Sequence, residues 1–305
     1  MQSRDSVVVV DDSIEEGLLA PGTLIKGYRI SGVIRSGKSN NVYSGWSPTG
    51  SEVAIKEYFP RRLAKRMPSG RLGVANEKIK RMFETGVRGF INEAIILAEI
   101  KSDLLAQYVT AFRENGTAYL VTALEPGETL EFWVRGIVKE GRRPKEGDLR
   151  FIFWALLNAV QVMHDLGFLH LDIKPSNVMM RDVDTPILID LGGARRFPYG
   201  EVEEMSASNF TPGFAAPEQH AEQLHLFDPS TDIYGIGASI LYCMTGKVPP
   251  LASERVVRDT IDDLFRRSQE HYSPQLIAIV KGCLLVSQSE RFSSIPDLQN
   301  LISMH

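Results

Sequence analysis

Cysteine is scarce in this chain, and so is any long apolar run. Only two cysteines occur among 305 residues. Both, Cys243 and Cys283, lie in apolar segments with helical spacing, which predicts buried free thiols rather than a disulfide. The longest apolar stretch, residues 151–157, is too short to cross a bilayer, and residues 1–10 lack the basic start and apolar core of a signal peptide. We therefore expect a cytoplasmic protein with no membrane segment.

An excess of charge of either sign is also missing. The chain carries 34 basic and 38 acidic residues, a formal net charge of −4, so it offers no broad attraction for nucleic acid or anionic lipid. We expect no nucleic-acid partner. The apolar content of 43% is ample for a buried core, and the length is compatible with one large catalytic unit made of two lobes.

Polar groups suited to phosphoryl transfer are concentrated in one short segment. It reads Leu169-His170-Leu171-Asp172-Ile173-Lys174-Pro175-Ser176-Asn177 and follows an apolar helical pattern. A loop that holds Asp, Lys and Asn so close together can orient a hydroxyl, neutralise a moving phosphate and ligate a metal. Asp190 comes between an apolar run at 186–189 and two glycines, where a strand is expected to end and backbone can approach a ligand. That position predicts a Mg²⁺ ligand.

These motifs resemble those of eukaryotic-like (Hanks-type) serine/threonine protein kinases, and their residues are similar to those of bacterial members. The family carries Val-Ala-x-Lys, His-Arg-Asp followed by Asn, Asp-Phe-Gly and Ala-Pro-Glu. The counterparts occur here in the same order, as Val53-Ala54-Ile55-Lys56, Asp172 with Asn177, Asp190, and Ala216-Pro217-Glu218. The resemblance implies an α+β, bilobal protein kinase fold with a small antiparallel β-sheet lobe that has one main helix, and a larger, mostly helical lobe.

Local patterns give expected boundaries for this fold. Residues 1–22 are interpreted as a solvated leader, with residues 7–10 as a further edge-strand candidate. The kinase domain is expected at 23–301, with the small lobe at about 23–122, the hinge at 123–126 and the large lobe at about 127–301. Asn115-Gly116 predicts a tight turn between strands at 108–112 and 118–121. Basic residues 61–88, after Tyr58-Phe59-Pro60, resemble an insertion of some bacterial relatives that precedes the next helix.

The resemblance implies a role for each polar group. Lys56, paired with Glu93, is expected to contact the α and β phosphates of ATP. Asp172 is expected to take the proton of a Ser/Thr hydroxyl on a protein substrate, while Lys174 offsets charge on the phosphoryl group. Asn177 and Asp190 would hold Mg²⁺, with Mn²⁺ as an alternative. The expected nucleotide-contacting residues are Ile34, Gly37, Val42, Ala54, Lys56, Thr122, Ala123, Leu124, Glu125, Asn177 and Asp190.

The phosphate-covering loop departs from the family pattern. Its Gly-x-Gly-x-x-Gly motif falls on Arg35, Gly37 and Asn40, so only the middle glycine is kept. Since these glycines let backbone amides approach phosphate, the loop leaves open a second interpretation, a pseudokinase scaffold with weakened nucleotide binding. A small-molecule phosphotransferase on a related fold is a third, although the segment at 211–218 resembles one that docks peptides.

Leu171 is a second departure, because regulated kinases carry there the arginine that pairs with a phosphorylated activation loop. We therefore expect activity that does not depend on phosphate at Ser206, Ser208 or Thr211, with Thr211 hydrogen-bonded near Asp172 instead. Autophosphorylation remains compatible with the resemblance.

Three further positions resemble structural residues of the family. Asp232 is expected to hydrogen-bond the backbone of the catalytic loop, and Glu218 is expected to pair with Arg291. His170 is expected to pack beneath Leu191 rather than to act as a base.

Overall fold

The computed structural model describes residues 16–181, 185–197, 210–221 and 223–303. These residues form two compact units. The smaller comprises the described residues up to Glu99 together with Gln107–Glu125, and the larger comprises Ile100–Ala106 with the described residues from Pro126 onward. The edge-strand candidate at 7–10 and the two serines Ser206 and Ser208 lie outside the described residues.

The smaller unit is built on antiparallel strands. Their bounds are β1 (Leu24–Ile25), β2 (Tyr28–Ser36), β3 (Asn40–Trp46), β4 (Glu52–Tyr58), β5 (Ala64–Arg66), β6 (Leu72–Val74), β7 (Tyr108–Glu114) and β8 (Thr117–Ala123). Six of them form one sheet in the spatial order β1-β2-β3-β4-β8-β7, and β5 pairs with β6 separately. Alternating residues of β3, β4 and β8, among them Tyr43, Ile55 and Val121, build a core on one face of the sheet.

The hairpin of β7 and β8 confirms the turn predicted at Asn115-Gly116. Both residues have left-handed backbone, with φ of 52° at Asn115 and 74° at Gly116. Two-residue turns that match the twist of the strands need positive φ at both positions, which Asn and Gly adopt at low cost.

The main helix of the smaller unit, α1, spans Glu77–Glu99. It begins inside residues 61–88, so the prediction that this whole segment precedes the helix was wrong. The first part of the segment forms the β5–β6 hairpin. The second part is helical because Phe83 and Val87 extend the buried face that continues through Phe90 and Ala94, while the basic residues that masked this pattern lie on its exposed side.

The larger unit is mostly helical. Its elements are β9 (Glu128–Thr129), α2 (Leu130–Lys139), α3 (Glu146–Asp165), β10 (Phe168–Leu169), β11 (Val178–Met180), β12 (Pro186–Leu188), β13 (Arg195–Arg196), α4 (Pro217–His220), α5 (Pro229–Thr245), α6 (Ala252–Val257), α7 (Asp262–Ser268), α8 (Pro274–Cys283) and α9 (Ile295–Ser303). Helix α5 is buried along its length from Ser230, which is typical of a helix at the centre of a core. Cys243 and Cys283 are buried free thiols, as predicted.

Residues 100–106 belong to the larger unit although they precede β7 in the chain. The reason is β12: Leu188 donates its N–H to Leu104 O (2.9 Å), and Ala106 donates to Leu188 O (2.9 Å). The predicted small lobe, 23–122, included this segment.

The α+β fold class itself is confirmed by a sheet with one main helix in one unit and a mostly helical second unit. Among the described helices, none has the length and apolar character to span a bilayer.

Candidate functional site

Lys56 and Glu93 form an ion pair inside the smaller unit. Lys56 Nζ lies 2.7 Å from Glu93 Oε1, and the two side chains are 13% and 6% exposed. The ammonium also lies over the ring of Phe90, 5.8 Å from its centroid. Strand β4 pairs on both sides, and Glu93 projects from a long helix. The pair is therefore held by two regular elements, which fixes a side chain that would otherwise sample many rotamers.

The strand register gathers several predicted nucleotide-contacting residues on one face of the sheet. Val42 lies opposite Lys56 in the β3–β4 pair, and Ala54 lies opposite Thr122 in the β4–β8 pair. Directly opposed residues share a face, as do residues two apart along a strand. Ile34 lies where β2 shifts register against β3.

The other predicted positions lie at the ends of these strands. Gly37 begins the three-residue loop 37–39 between β2 and β3, and donates its N–H to Asn40 O (2.9 Å). Ala123 ends β8 opposite Val53. Leu124 N donates to Glu52 O (3.4 Å), and Glu125, 8% exposed, is the last residue of the smaller unit.

Asp172, Lys174 and Thr211 form a closed set of hydrogen bonds inside the larger unit. Lys174 Nζ donates to Asp172 Oδ2 (2.6 Å) and to Thr211 Oγ1 (2.5 Å). Thr211 Oγ1 donates to Asp172 Oδ1 (2.7 Å), as the sequence predicted. Lys174 and Asp172 are each 12% exposed. A carboxylate, an ammonium and a hydroxyl are thus gathered at one point, close to the surface.

Asp232 on α5 holds the segment that precedes Asp172. Its carboxylate accepts the backbone N–H groups of His170 (2.8 Å) and Leu171 (2.7 Å), and His164 Nε2 lies 2.8 Å from Oδ2. Burial alone would raise the pKa of Asp232, but the hydrogen bond with His164 and the charges and amides around it bring that pKa below its ordinary value. Asp232 is therefore a carboxylate that satisfies three donors in the core.

His170 is buried and hydrogen-bonded to the backbone of the segment that follows it. It is fully buried, burial lowers its pKa, and its Nδ1 accepts the N–H of Asp172 (3.2 Å). Gly193 approaches the same backbone closely. A Cβ there would lie 2.8 Å from His170 O, so a side chain at this position would displace the loop.

Asn177 and Asp190 lie on adjacent backbone segments. Ile189 N donates to Asn177 O (3.0 Å), which places Asp190 next to Asn177. The Asn177 amide donates to Asp172 O (3.0 Å) and Oδ2 (3.1 Å). Its Oδ1 is buried and has no hydrogen-bond partner among the described residues. A buried, unpartnered carbonyl oxygen beside a carboxylate is the donor set that a hard divalent cation prefers, so these residues fit a Mg²⁺ ion.

Glu218 and Arg291 form the buried pair that the sequence predicted. Arg291 Nη1 lies 2.8 Å from Glu218 Oε1, and the side chains are 0% and 3% exposed. Arg291 also donates to Ser230 O (2.9 Å), and Thr231 Oγ1 donates to Glu218 Oε1 (2.9 Å). Both charges are thus compensated by several hydrogen bonds, which ties the segment after Thr211 to α5.

A family model described as the protein kinase domain matches residues 28–302. The chain belongs to the protein kinase family. Its relatives include serine/threonine-protein kinase C of Synechocystis sp., with 30% identity over 215 residues that cover 67% of this chain and 38% of the relative. Serine/threonine-protein kinase AfsK of Streptomyces griseus has 25% identity over 91% of this chain and 32% of its own length. This kinase chain spans about a third to two fifths of these relatives.

Solved structures share the fold of this kinase. The one described as the PpkA-294 apo form has a TM-score of 0.80 and 29% identity, and the match covers 94% of this chain and 100% of that one. The PknI kinase domain of Mycobacterium tuberculosis has a TM-score of 0.64 with 17% identity, covering 93% and 98% of the two chains, which supports the fold alone.

The sequence did not reveal every polar residue that shapes the kinase loops. His164 was missed, although it lies six positions before His170 and directly follows the buried Met163 near the end of α3. Gln219 was missed too. Its amide donates to Leu171 O (2.8 Å) while its carbonyl accepts from Ala216 N (3.0 Å). A polar residue directly after the Ala-Pro-Glu motif, in a buried segment, was the available signal.

Breaking the Glu218–Arg291 pair from one side should destabilise the kinase strongly. In Arg291→Ala, Glu218 keeps a buried charge without its partner, and we expect a loss of about 3–5 kcal/mol in the free energy of unfolding, measured by urea denaturation. The control is Arg266→Ala, which removes an exposed pair with Asp263 and should cost less than about 1 kcal/mol. Equal losses in the two variants would contradict the role of burial.

The stability supplied by Asp232 should depend on pH. Its folded-state pKa is lowered, so its contribution is fully present above the unfolded-state pKa, about 3.9, and is lost as pH falls through the lower folded value. We expect Asp232→Asn to lose about 2–4 kcal/mol of unfolding free energy at about pH 7. The difference from wild type should shrink towards about pH 3, as measured by urea midpoints across this range. A constant difference would show that the charge is not what matters.

Proposed function

We propose that this chain is an ATP-dependent protein serine/threonine kinase of the bacterial Hanks type, with Mg²⁺ as its metal and Mn²⁺ as an alternative. The observation that carries the proposal is the joint placement of Asp172, Lys174 and Thr211 beside the buried Asn177 Oδ1, which has no hydrogen-bond partner in the part of the chain that the structure describes. A merely structural loop would satisfy that oxygen internally. The kinase domain is proposed to span 23–301, with a hinge at 123–126.

The proposed reaction needs little covalent work from the protein. The hydroxyl oxygen of the substrate bonds to the γ-phosphorus, the bond from that phosphorus to the oxygen bridging it to the β-phosphate breaks, and ADP leaves with that oxygen. Asp172 orients the hydroxyl and receives its proton, while Lys174 offsets negative charge on the transferred group. Asn177 and Asp190 would hold the metal, which would neutralise charge on the phosphates.

In the smaller unit, the Lys56–Glu93 pair supports a role in binding the α and β phosphates. Glu93 fixes the position of the ammonium, so a phosphate oxygen meets a cation that is already placed. The adenine is proposed to contact the face that carries Val42 and Ala54, with Thr122, Ala123, Leu124 and Glu125 offering side-chain and backbone groups.

A serine or threonine of a protein is the proposed acceptor. Lys174 and Thr211 bind each other and Asp172, so the space next to the carboxylate is bounded on one side by the segment that follows Thr211. In the family this segment docks the substrate peptide. Autophosphorylation is proposed as a further activity.

Activity is proposed not to require a phosphorylated activation loop. Leu171, which stands in place of the usual arginine, is 8% exposed and packs in a cluster with Leu169 and Phe227, against which Phe197 and Leu224 also pack. An arginine here would bring a charge that needs an anion. Leucine is stable in this apolar cluster without any phosphate.

The pseudokinase remains the second candidate function because two of three loop glycines are replaced, by Arg35 and Asn40. It differs from the proposed kinase in one measurable property, transfer of phosphate to protein.

Asp172→Asn should separate the two functions. With radiolabelled ATP, Mg²⁺ and a general Ser/Thr protein substrate, we expect wild-type protein to incorporate label on Ser or Thr. The variant should be slower by about a hundredfold to ten-thousandfold, since it cannot accept the proton. Asp263→Asn, an exposed aspartate in α7, is the matched control and should retain full rate. Binding of nucleotide without any transfer by wild type would favour the scaffold.

Phosphatase treatment should leave the rate of label transfer within about twofold of the rate before treatment, because position 171 has no arginine that needs a phosphate as its partner. The phosphatase is removed before the assay, and mass spectrometry confirms that the protein carries no phosphate. A large loss of activity that recovers during incubation with ATP would contradict this part of the proposal.

A further inference from the structure

The loop 37–39 is held by a segment that the proposed chemistry does not use. The backbone carbonyl of each loop residue accepts a hydrogen bond from the segment 59–61. Arg61 Nε donates to Gly37 O (3.1 Å), Arg61 N donates to Lys38 O (3.0 Å), and Phe59 N donates to Ser39 O (2.7 Å). The N–H groups of Lys38 and Ser39 have no acceptor among the described residues. The carbonyls of the loop are therefore bound, while two adjacent amides remain available.

Arg61 makes one of these three attachments through its side chain and a second through its backbone N–H. Its guanidinium forms four hydrogen bonds, to Gly37 O (3.1 Å), Glu16 O (2.7 Å), Ser36 Oγ (2.5 Å) and Asn41 Oδ1 (3.0 Å). A guanidinium has five N–H donors in a fixed plane. With four used internally, Arg61 is suited to fixing backbone rather than to binding a phosphate.

The attachment is anchored in a buried polar cluster. Asn41 donates to Glu57 Oε2 (3.3 Å) and accepts from Ser36 (2.7 Å) as well as Arg61. Glu57 is fully buried and accepts both bonds of Arg66 Nη2 (2.7 and 2.6 Å). The hydroxyls of Tyr43 (2.9 Å) and Tyr119 (2.8 Å) also donate to it. Its charge is thus compensated by a cation and three neutral donors.

Phe59 connects the two arginines of this arrangement. The ring is buried, and the guanidinium carbons of Arg61 and Arg66 lie 4.9 and 5.3 Å from its centroid. Arg66 comes from the β5–β6 hairpin and also donates to Gly17 O (2.7 Å). Residues 59–66 are therefore hydrogen-bonded to the loop, to the sheet and to the chain before β1.

We propose that Arg61 is a positioning residue for the nucleotide. It fixes the loop 37–39 in advance, so that the amides of Lys38 and Ser39 are already ordered when they meet an anionic phosphate. The inference rests on the proposed ATP-dependent function and explains how the loop can serve it with one glycine. A glycine-rich loop loses conformational entropy when it closes on phosphate, whereas a loop that is held beforehand has less entropy to lose on binding.

The test compares three variants for loop exchange and for kinetics. In Arg61→Ala we expect the nucleotide-free, hydrogen-bonded amides of Gly37, Phe59 and residue 61 to exchange hydrogen about tenfold faster, the KM for ATP to rise about tenfold, and kcat to stay within about twofold. Arg61→Lys keeps the charge but not the planar fork, so it should resemble Arg61→Ala more than wild type. Arg62→Ala removes an adjacent, exposed arginine and should change neither quantity.

Three results would overturn the proposal: unchanged exchange in Arg61→Ala, faster exchange with an unchanged KM for ATP, or a uniform rise of exchange across the whole sheet. The last would show a general structural role. A wild-type protein that binds no ATP with Mg²⁺ in calorimetry would remove the proposed function and this inference with it. That failure is distinguishable, because loop exchange is measured without nucleotide and would still respond to Arg61→Ala.

Discussion

The hydrogen bonds from two backbone amides to the buried carboxylate of Asp232 are the interaction on which the larger unit's chemistry depends. Leu171 has φ of 63°, a left-handed conformation that costs a residue with a side chain about 1–2 kcal/mol. Charge-assisted hydrogen bonds from His170 and Leu171 offset that cost. Because Asp172 follows directly, the direction of its carboxylate towards Lys174 and Thr211 is set by this strained residue and by the buried helix α5 that carries Asp232.

Strand β4 positions polar side chains in the smaller unit, one on each of its two faces. Lys56 points to the face shared with Val42, and Glu57, its neighbour, points to the opposite face, where it lies opposite Asn41. Lys56 binds Glu93 for the proposed phosphate contact. Glu57 lies at the centre of the polar cluster that reaches the loop 37–39 through Asn41 and Arg61. A one-residue slip in register would exchange the two faces and disable both.

The sequence predicted those parts of the kinase that are encoded locally. The order of Lys56, Asp172, Asn177 and Asp190, and the Asn115-Gly116 turn, are each readable within a few residues, and the structure places Asn177 beside Asp172 and Asp190. The cluster around Glu57 was not predicted, because its members are spread from Ser36 to Tyr119 and meet only through sheet register. The start of α1 was missed for a related reason: its apolar stripe is sparse among basic residues, and only packing shows which face is buried.

The apolar setting of Leu171 bears on how such a kinase can be controlled. A switch by phosphorylation needs two states whose stability differs with charge, and an unpaired buried arginine supplies that difference because it is costly until an anion arrives. Leu171, packed with Leu169 and Phe227, supplies no such buried charge, because its side chain is apolar. Asp232 and Gln219 hydrogen-bond the backbone of Leu171 without any phosphate, and we therefore propose that added charge has no equilibrium to shift at this position.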